Sequence, residues 1–209
     1  MGREIGAKCR ICRRAGTKLF LKGDRCFTTK CALEKRKFPP GQRPKRGTRI
    51  TNYLLQIREK QKLKKMYGLM ETQFKNLFDK ADRKKGPTGE IFLSLLERRL
   101  DNVVYRAFFA SSRQQARQLV LHGHITVNGK KVNIPSYQVK AGDVIQVKEK
   151  SRKLYPILKS LGKLESLTLP EWITVDSDNL SAKIERIPER KDIIVPVKEQ
   201  LIIELYSKV

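Results

Sequence analysis

The chain has 209 residues, with 46 Lys and Arg against 21 Asp and Glu, a formal net charge of +25. Its length allows one large domain or two small ones, and 39% hydrophobic residues are lean but enough for modest cores. No apolar run approaches the ~18 residues of a membrane span, MGREIGAKC has no apolar stretch for a secretory signal, and Gly6 breaks the myristoylation pattern. An intracellular, strongly cationic protein is expected.

Charge is unevenly placed. Residues 1–50 hold 16 basic and 3 acidic side chains, whereas residues 151–209 hold 10 and 9. Self-repulsion on this scale calls for a polyanionic partner, and nucleic acid is the obvious one. No basic helix carries a wide apolar face for insertion into a membrane surface.

All four cysteines fall in the first 31 residues, as Cys9-Arg-Ile-Cys12 and Cys26-x4-Cys31. Two close pairs across a short excursion can bring four thiolates around one ion. Disulfides do not suit the intracellular reading. Zinc is the default metal, and an iron–sulfur cluster uses the same ligands. Lys8, Arg10, Arg13, Arg14, Lys22, Arg25 and Lys30 are expected to lower the thiol pKa values and offset the thiolate charge. Thr17 to Leu21, followed by Gly23-Asp24, reads as a short strand and turn. So small a piece has no core, so metal binding would supply its folding energy.

Residues 32–50 lack periodicity and read as an extended arm; its Arg43, Lys45, Arg46 and Arg49, with Arg10, Arg13 and Arg14 before it, are candidate RNA contacts. A helix is predicted from Thr51 to Tyr67, stopped by Gly68. In the next helix Phe74, Leu77, Phe78 and Ala81 form one apolar stripe. Beyond a basic turn over 82–89, one helical pattern runs from Glu90 through Leu95, Leu96, Leu100, Val103 and Val104 to about Phe108.

A further helix opens at Ser111-Ser112-Arg113-Gln114-Gln115, where Ser112 and Gln115 fit a capping box. Ala116, Leu119 and Val120 form its buried side. Arg113 and Arg117, four apart, project together elsewhere. His122-Gly123-His124 ends the helix, and Ile125-Thr126-Val127 begins a strand. Asn128-Gly129 predicts a type I′ turn into Lys130-Lys131-Val132-Asn133-Ile134, with Ile125, Val127, Val132 and Ile134 inward. Further strands are expected at 137–139 and 144–147. The fold class is therefore α+β, with two helices leading into small antiparallel strands. Arg106, Arg113, Arg117, Lys130 and Lys131 would meet phosphates of a folded RNA. Ser112, Gln114, His122, His124 and Asn128 complete the candidate RNA surface.

The last sixty residues are nearly neutral. Leu158, Leu161, Leu164, Leu167 and Leu169 suggest a short packed helix. Residues 193–195 look strand-like, and a closing helix follows with Leu201, Ile202, Leu205 and Tyr206 on its apolar side. No P-loop, dinucleotide fingerprint, serine elbow or carboxylate pair is present, so no enzyme and no small-molecule substrate are expected.

The runs Leu100 to Arg106, Ser112 to Val120 and His122 to Gly129, together with Pro135-Ser136-Tyr137, Gly142-Asp143 and Val197 to Leu201, closely resemble the bacterial small-subunit ribosomal protein four family. Lys198 departs mildly, since the family often has Asn there. Cys9, Cys12, Cys26 and Cys31 resemble the family's metal-binding form. The resemblance implies a multidomain α+β architecture: a metal knuckle and basic arm over 1–46, and a helical domain over 47–98 completed by a C-terminal helix at 196–208. It further implies an α+β RNA-binding domain over 99–162 and an extension over 163–209 packing back on the helical domain. It implies binding to a multi-helix junction in the 5′ domain of 16S rRNA early in assembly, beside the channel by which messenger enters. Contacts with ribosomal proteins five and three, an influence on translational accuracy and repression of the protein's own mRNA are implied too. The competing reading is an RNA-modifying enzyme carrying the same module, yet residues 1–98 and 163–209 offer no catalytic domain.

Overall fold

A computed structural model describes residues 5–42, 50–162 and 169–207. The chain forms two compact units, residues 1–89 with 195–209, and residues 90–194.

In the first unit, α1 (Lys8–Ala15) carries Cys9 and Cys12, and a 3-10 turn at Gly23–Phe27 carries Cys26. Cys31 directly precedes the short α2 (Ala32–Lys35). The strand expected over 17–21 is absent: α1 ends at Gly16 in the left-handed region, and the chain loops directly into the 3-10 turn. Over residues 5–42 the buried apolar side chains are Leu19, which is fully buried, and Cys12, Cys26 and Cys31. Such a core is too small to stabilise a fold by burial alone.

The rest of the unit is helical. Thr51 caps α3 (Asn52–Met66) through its hydroxyl, which accepts from the Leu54 N–H at 3.3 Å. The predicted stripe of α4 (Glu71–Asp82) is buried throughout. The last helix, α9 (Glu199–Tyr206), packs against α3. Gln56, itself buried, donates to Glu204 at 2.9 Å, and Tyr206 stacks on Phe78 with ring centroids 4.4 Å apart. Gly89 permits the closest approach, since a Cβ there would lie 3.1 Å from both Glu199 Cγ and Ile203 Cδ1.

The second unit takes most of α5 (Thr88–Glu97), then α6 (Leu100–Arg106) and α7 (Arg113–Leu121). The single helix expected from 90 to 108 is broken at Arg99, which is extended. There the chain bridges to Gln138 and buries the Arg99 guanidinium. The sheet has five antiparallel strands in the order β2-β1-β3-β5-β4: β1 (Ile125–Val127), β2 (Lys130–Lys131), β3 (Val144–Val147), β4 (Ile173–Asp176) and β5 (Ser181–Ile184). Asn128 and Gly129 take φ of 49° and 76°, which is the expected two-residue type I′ turn. α6 and α7 pack on each other, and Val103, Val104, Leu119, Val120, Ile125, Ile145, Trp172 and Ile184 share one core.

Several expectations need correction here. β2 stops after two residues, leaving Ile134 exposed, and 137–139 contributes one isolated bridge rather than a strand. The extension over 163–209 does not go back as a whole to the helical unit: β4 and β5 extend the sheet, because Trp172, Ile173, Ala182 and Ile184 complete its core. Residues 193–195 are not a strand, and Ile194 lies in solvent. In α8 (Tyr155–Leu161) the fully buried side chain is Ile157, whereas Leu158 faces out. Leu164 and Leu167 lie outside the described residues.

Candidate nucleic-acid interface

The cationic candidates fall into three groups. The first stands on α1. Arg10 and Arg14 are exposed on the rim of a groove of about 600 Å³ between α1 and α3, which Ile11, Leu54 and Leu55 also line. Arg58, Lys62 and Lys65 add three further cations to its walls. Arg13 is half-buried and tied to the chain near Phe38. It donates to the carbonyls of Phe38 (2.9 Å) and Pro39 (3.2 Å) and lies over the Phe38 ring at 5.1 Å. Arg43, Lys45, Arg46 and Arg49 lie outside the described residues.

The four cysteines line one small hollow of about 20 Å³. Burial pushes the Cys12 and Cys26 thiols above their ordinary value, and the neighbouring sulfurs push the same way. This reverses the expectation that nearby cations would lower them: here desolvation outweighs the surface charge. The donor set suits a four-thiolate centre. Even so, among the described residues no three His, Cys, Asp or Glu side chains form an arrangement poised to hold a metal ion.

The second group lies at the start of α7. Ser112 caps the helix, its hydroxyl accepting from the Gln115 N–H at 3.3 Å. The capping box is only half made, because the Gln115 side chain accepts from Ser111 N and Oγ, both at 2.7 Å, instead of from Ser112. Arg113 and Arg117 do share a side of the helix, but that side meets α6. Arg113 Nε donates to Asn102 Oδ1 at 2.8 Å, and its guanidinium lies 4.6 Å from the centre of the Tyr105 ring. Asn102 in turn donates to Glu97 at 2.6 Å. Glu97 also takes two bonds from Arg106, at 2.9 and 2.6 Å. Buried Glu97 and Asn102 thus orient two arginines whose flanks reach the surface. Gln114 is exposed beside them.

Arg117 requires a correction. It is 7% exposed and donates to Asp101 at 3.2 Å. The same carboxylate takes two bonds from buried Arg99, at 3.1 and 2.8 Å. A charge removed from water demands a partner, and Asp101 serves both guanidinium groups. Arg117 is a packing residue. Sequence reading missed Asp101 and Glu97 as partners because periodicity reports which positions are buried and says nothing of buried charge.

The third group lies at the other end of α7, about 13 Å along its axis. His122 is exposed. His124 is half-buried with Nδ1 2.8 Å from Ser151 Oγ, and burial, His122 and Lys148 hold its pKa below the ordinary value. Lys130 and Lys131 are exposed on the edge strand β2. The Lys131 stem lies over Gly123, where a Cβ would stand 2.4 Å from Lys131 Cε; that exposed, flexible stem can move aside, so it is the φ of 71° that calls for glycine. Asn128 is exposed at the hairpin and also has a structural task. Its side chain donates to Asp143 at 2.9 Å and accepts from Val144 N–H at 2.8 Å, locking the hairpin to the 140–143 turn.

Among the described residues no helix is long and apolar enough to cross a membrane. The arrangement offers oriented guanidinium groups, lysines at a hairpin and a basic helix, all suited to phosphate. Comparison with known proteins agrees. The family pattern described as "Ribosomal protein S4/S9 N-terminal domain" matches residues 3–97, and that of the "S4 domain" matches residues 98–145. The chain is 54% identical over 208 residues to "Small ribosomal subunit protein uS4" of Citrifermentans bemidjiense, and 54% identical over 209 residues to the protein of that name from Thermus thermophilus. Trichlorobacter lovleyi has another at 55% identity over 208 residues, and in all three comparisons the whole of both chains is covered.

Proposed function

This chain belongs to the ribosomal protein S4 family, and from that premise we propose that it is a structural constituent of the small ribosomal subunit that binds 16S rRNA directly. Its role is architectural rather than catalytic: over its whole length the chain matches small-subunit ribosomal proteins. The observation that carries the reading is Arg113. It sits at the first turn of α7, fixed from behind by Asn102 and Tyr105, so its guanidinium reaches phosphate with little orientation left to lose.

The ligand is a multi-helix junction in the 5′ domain, read by shape from two ends of one rigid helix. On the same premise the protein works in the cytoplasm within the small subunit, nucleates assembly of the 5′ domain and lies by the channel through which messenger enters. There it contacts ribosomal proteins five and three, affects translational accuracy and represses its own mRNA. The family resemblance supports these points. Crosslinking the protein to RNA in cells and sequencing the attached fragments tests the reading. Small-subunit 5′-domain RNA should dominate, and recovery dominated by tRNA or DNA would contradict it.

We also propose that Cys9, Cys12, Cys26 and Cys31 hold one zinc ion, with an iron–sulfur cluster as the alternative. Their shared hollow supports this. A bound zinc would cross-link α1, the 3-10 turn and the start of α2, replacing the core this segment lacks. Elemental analysis of the purified protein should find about one four-thiolate centre per chain. Four freely titratable thiols with unchanged N-terminal protease resistance would contradict it.

A further inference from the structure

We propose that Phe20 and Phe27 form a stacking platform for one unpaired nucleobase of the bound RNA, a site distinct from the arginine contacts. The proposal rests on the RNA-binding reading and adds to it a ligand of a different kind. The two rings stack on each other with centroids 5.0 Å apart and planes 28° apart. They do so at the surface: Phe27 is 63% exposed and Phe20 36%. Leu19, next to Phe20 in the chain, is fully buried, so the fold has an apolar interior here and leaves the two phenylalanines out of it.

Backbone conformation points the same way. Phe20 has φ of 51°, in the left-handed region that a bulky L-residue disfavours. Strain of this kind persists where the surrounding structure maintains it, and it clusters at ligand clamps. The loop spends that strain on keeping the Phe20 ring against Phe27.

Charge selects the occupant. Lys22 and Arg25, before Cys26, and Lys30, between Cys26 and Cys31, are exposed, and Asp24 is the one carboxylate in residues 17–31. Lys18 is tied to Glu34. Thr28 and Thr29, exposed beside Phe27, add no apolar area to the two rings, so the apolar surface here is small. Exposed aromatic faces set among cations match the way single-stranded or bulged bases are held: the ring takes the base and the cations take the flanking phosphates.

The test is a salt titration of affinity for the 5′-domain RNA of the small subunit, using the full chain and its Phe27→Ala, Phe27→Leu and Phe27→Tyr variants. Stacking is not ionic, so Phe27→Ala should bind about five- to a hundredfold more weakly with the slope of log K against log salt unchanged. Phe27→Leu should also lose affinity, and Phe27→Tyr should retain it. Phe27→Trp should show indole fluorescence quenched by RNA, against the fixed signal of buried Trp172. Parent-like binding by Phe27→Ala, equal losses in Ala and Tyr variants, or a slope that falls with the affinity would each overturn the platform. Failure of the parent itself to bind would instead overturn the RNA-binding reading on which the platform rests.

Discussion

The N-terminal region and the sheet-bearing unit use their positive charge in opposite ways. Over residues 5–42 the buried core is one leucine and three cysteines, and Arg10, Arg14, Lys22, Arg25 and Lys30 stand exposed around it. In residues 90–194 a continuous apolar core is present, and the arginines turn inward: Arg99 and Arg117 onto Asp101, Arg106 onto Glu97, Arg113 onto Asn102. A count of cations therefore overstates what the second unit can offer to phosphate. There arginine first satisfies buried carboxylates, and only what remains at the surface is available to a ligand. Over residues 5–42 no carboxylate is buried, so Arg10, Arg14, Lys22, Arg25 and Lys30 remain at the surface, whereas Arg13 is held by the Phe38 and Pro39 carbonyls and Lys18 by Glu34.

The largest expected effect breaks the inward half of that contrast. Asp101→Ala leaves two buried guanidinium groups without their shared anion and should destabilise the protein by about 3–5 kcal/mol, read by chemical denaturation. Arg10→Ala on the open side should stay within about 0.5 kcal/mol. Asp101→Ala with parent stability would show that the triad is dispensable. Leu119→Ala, which removes core volume without touching charge, should cost about 2–5 kcal/mol, and thermal melts should show it to be independent of salt.

Smaller effects sharpen the contrast at its boundary. Asn102→Ala withdraws a donor from buried Glu97 and the acceptor for Arg113, an expected loss of about 1–3 kcal/mol. RNA affinity measured at a denaturant-free, fully folded condition should fall as well. Retained affinity would mean that Arg113 needs no positioning. The smallest effect concerns His124, whose pKa is held below its ordinary 6.5 in the fold. Above that value both states are neutral and nothing changes. As pH falls below it the unfolded chain takes up the proton first, so stability declines until the folded-state pKa is passed. Denaturation at pH 7.5 and 5.5 should show this decline in the parent and a reduced one in His124→Gln.

Much of this was legible in the residues. The stripe Phe74, Leu77, Phe78, Ala81, the Asn128-Gly129 turn and the Ala116, Leu119, Val120 side of α7 follow from spacing and turn chemistry, which act locally. What failed was long-range. The break at Arg99 is set by pairing with Gln138 and by Asp101, neither of which a helical repeat encodes. Strands β4 and β5 join the sheet from a stretch whose composition reads as neutral tail. Within the candidate site, i, i+4 spacing placed Arg113 and Arg117 on one side of α7. Only tertiary packing shows that this side faces α6, so one arginine is an oriented surface group and the other is part of the core.

The claim that matters most is that the exposed arginines of α1 are open to phosphate while Arg117 of the sheet unit is committed to Asp101. It is tested most directly by comparing salt dependence of RNA binding in Arg10→Gln/Arg14→Gln and in Arg117→Gln, on the same 5′-domain RNA. Each lost phosphate contact lowers the slope of log K against log salt by about 0.9 on duplex and about 0.7 on single strands. The account predicts a shallower slope with parent stability for the N-terminal pair. For Arg117→Gln it predicts an unchanged slope with reduced stability. The reverse pattern, a shallower slope from Arg117→Gln and none from the α1 pair, would contradict it.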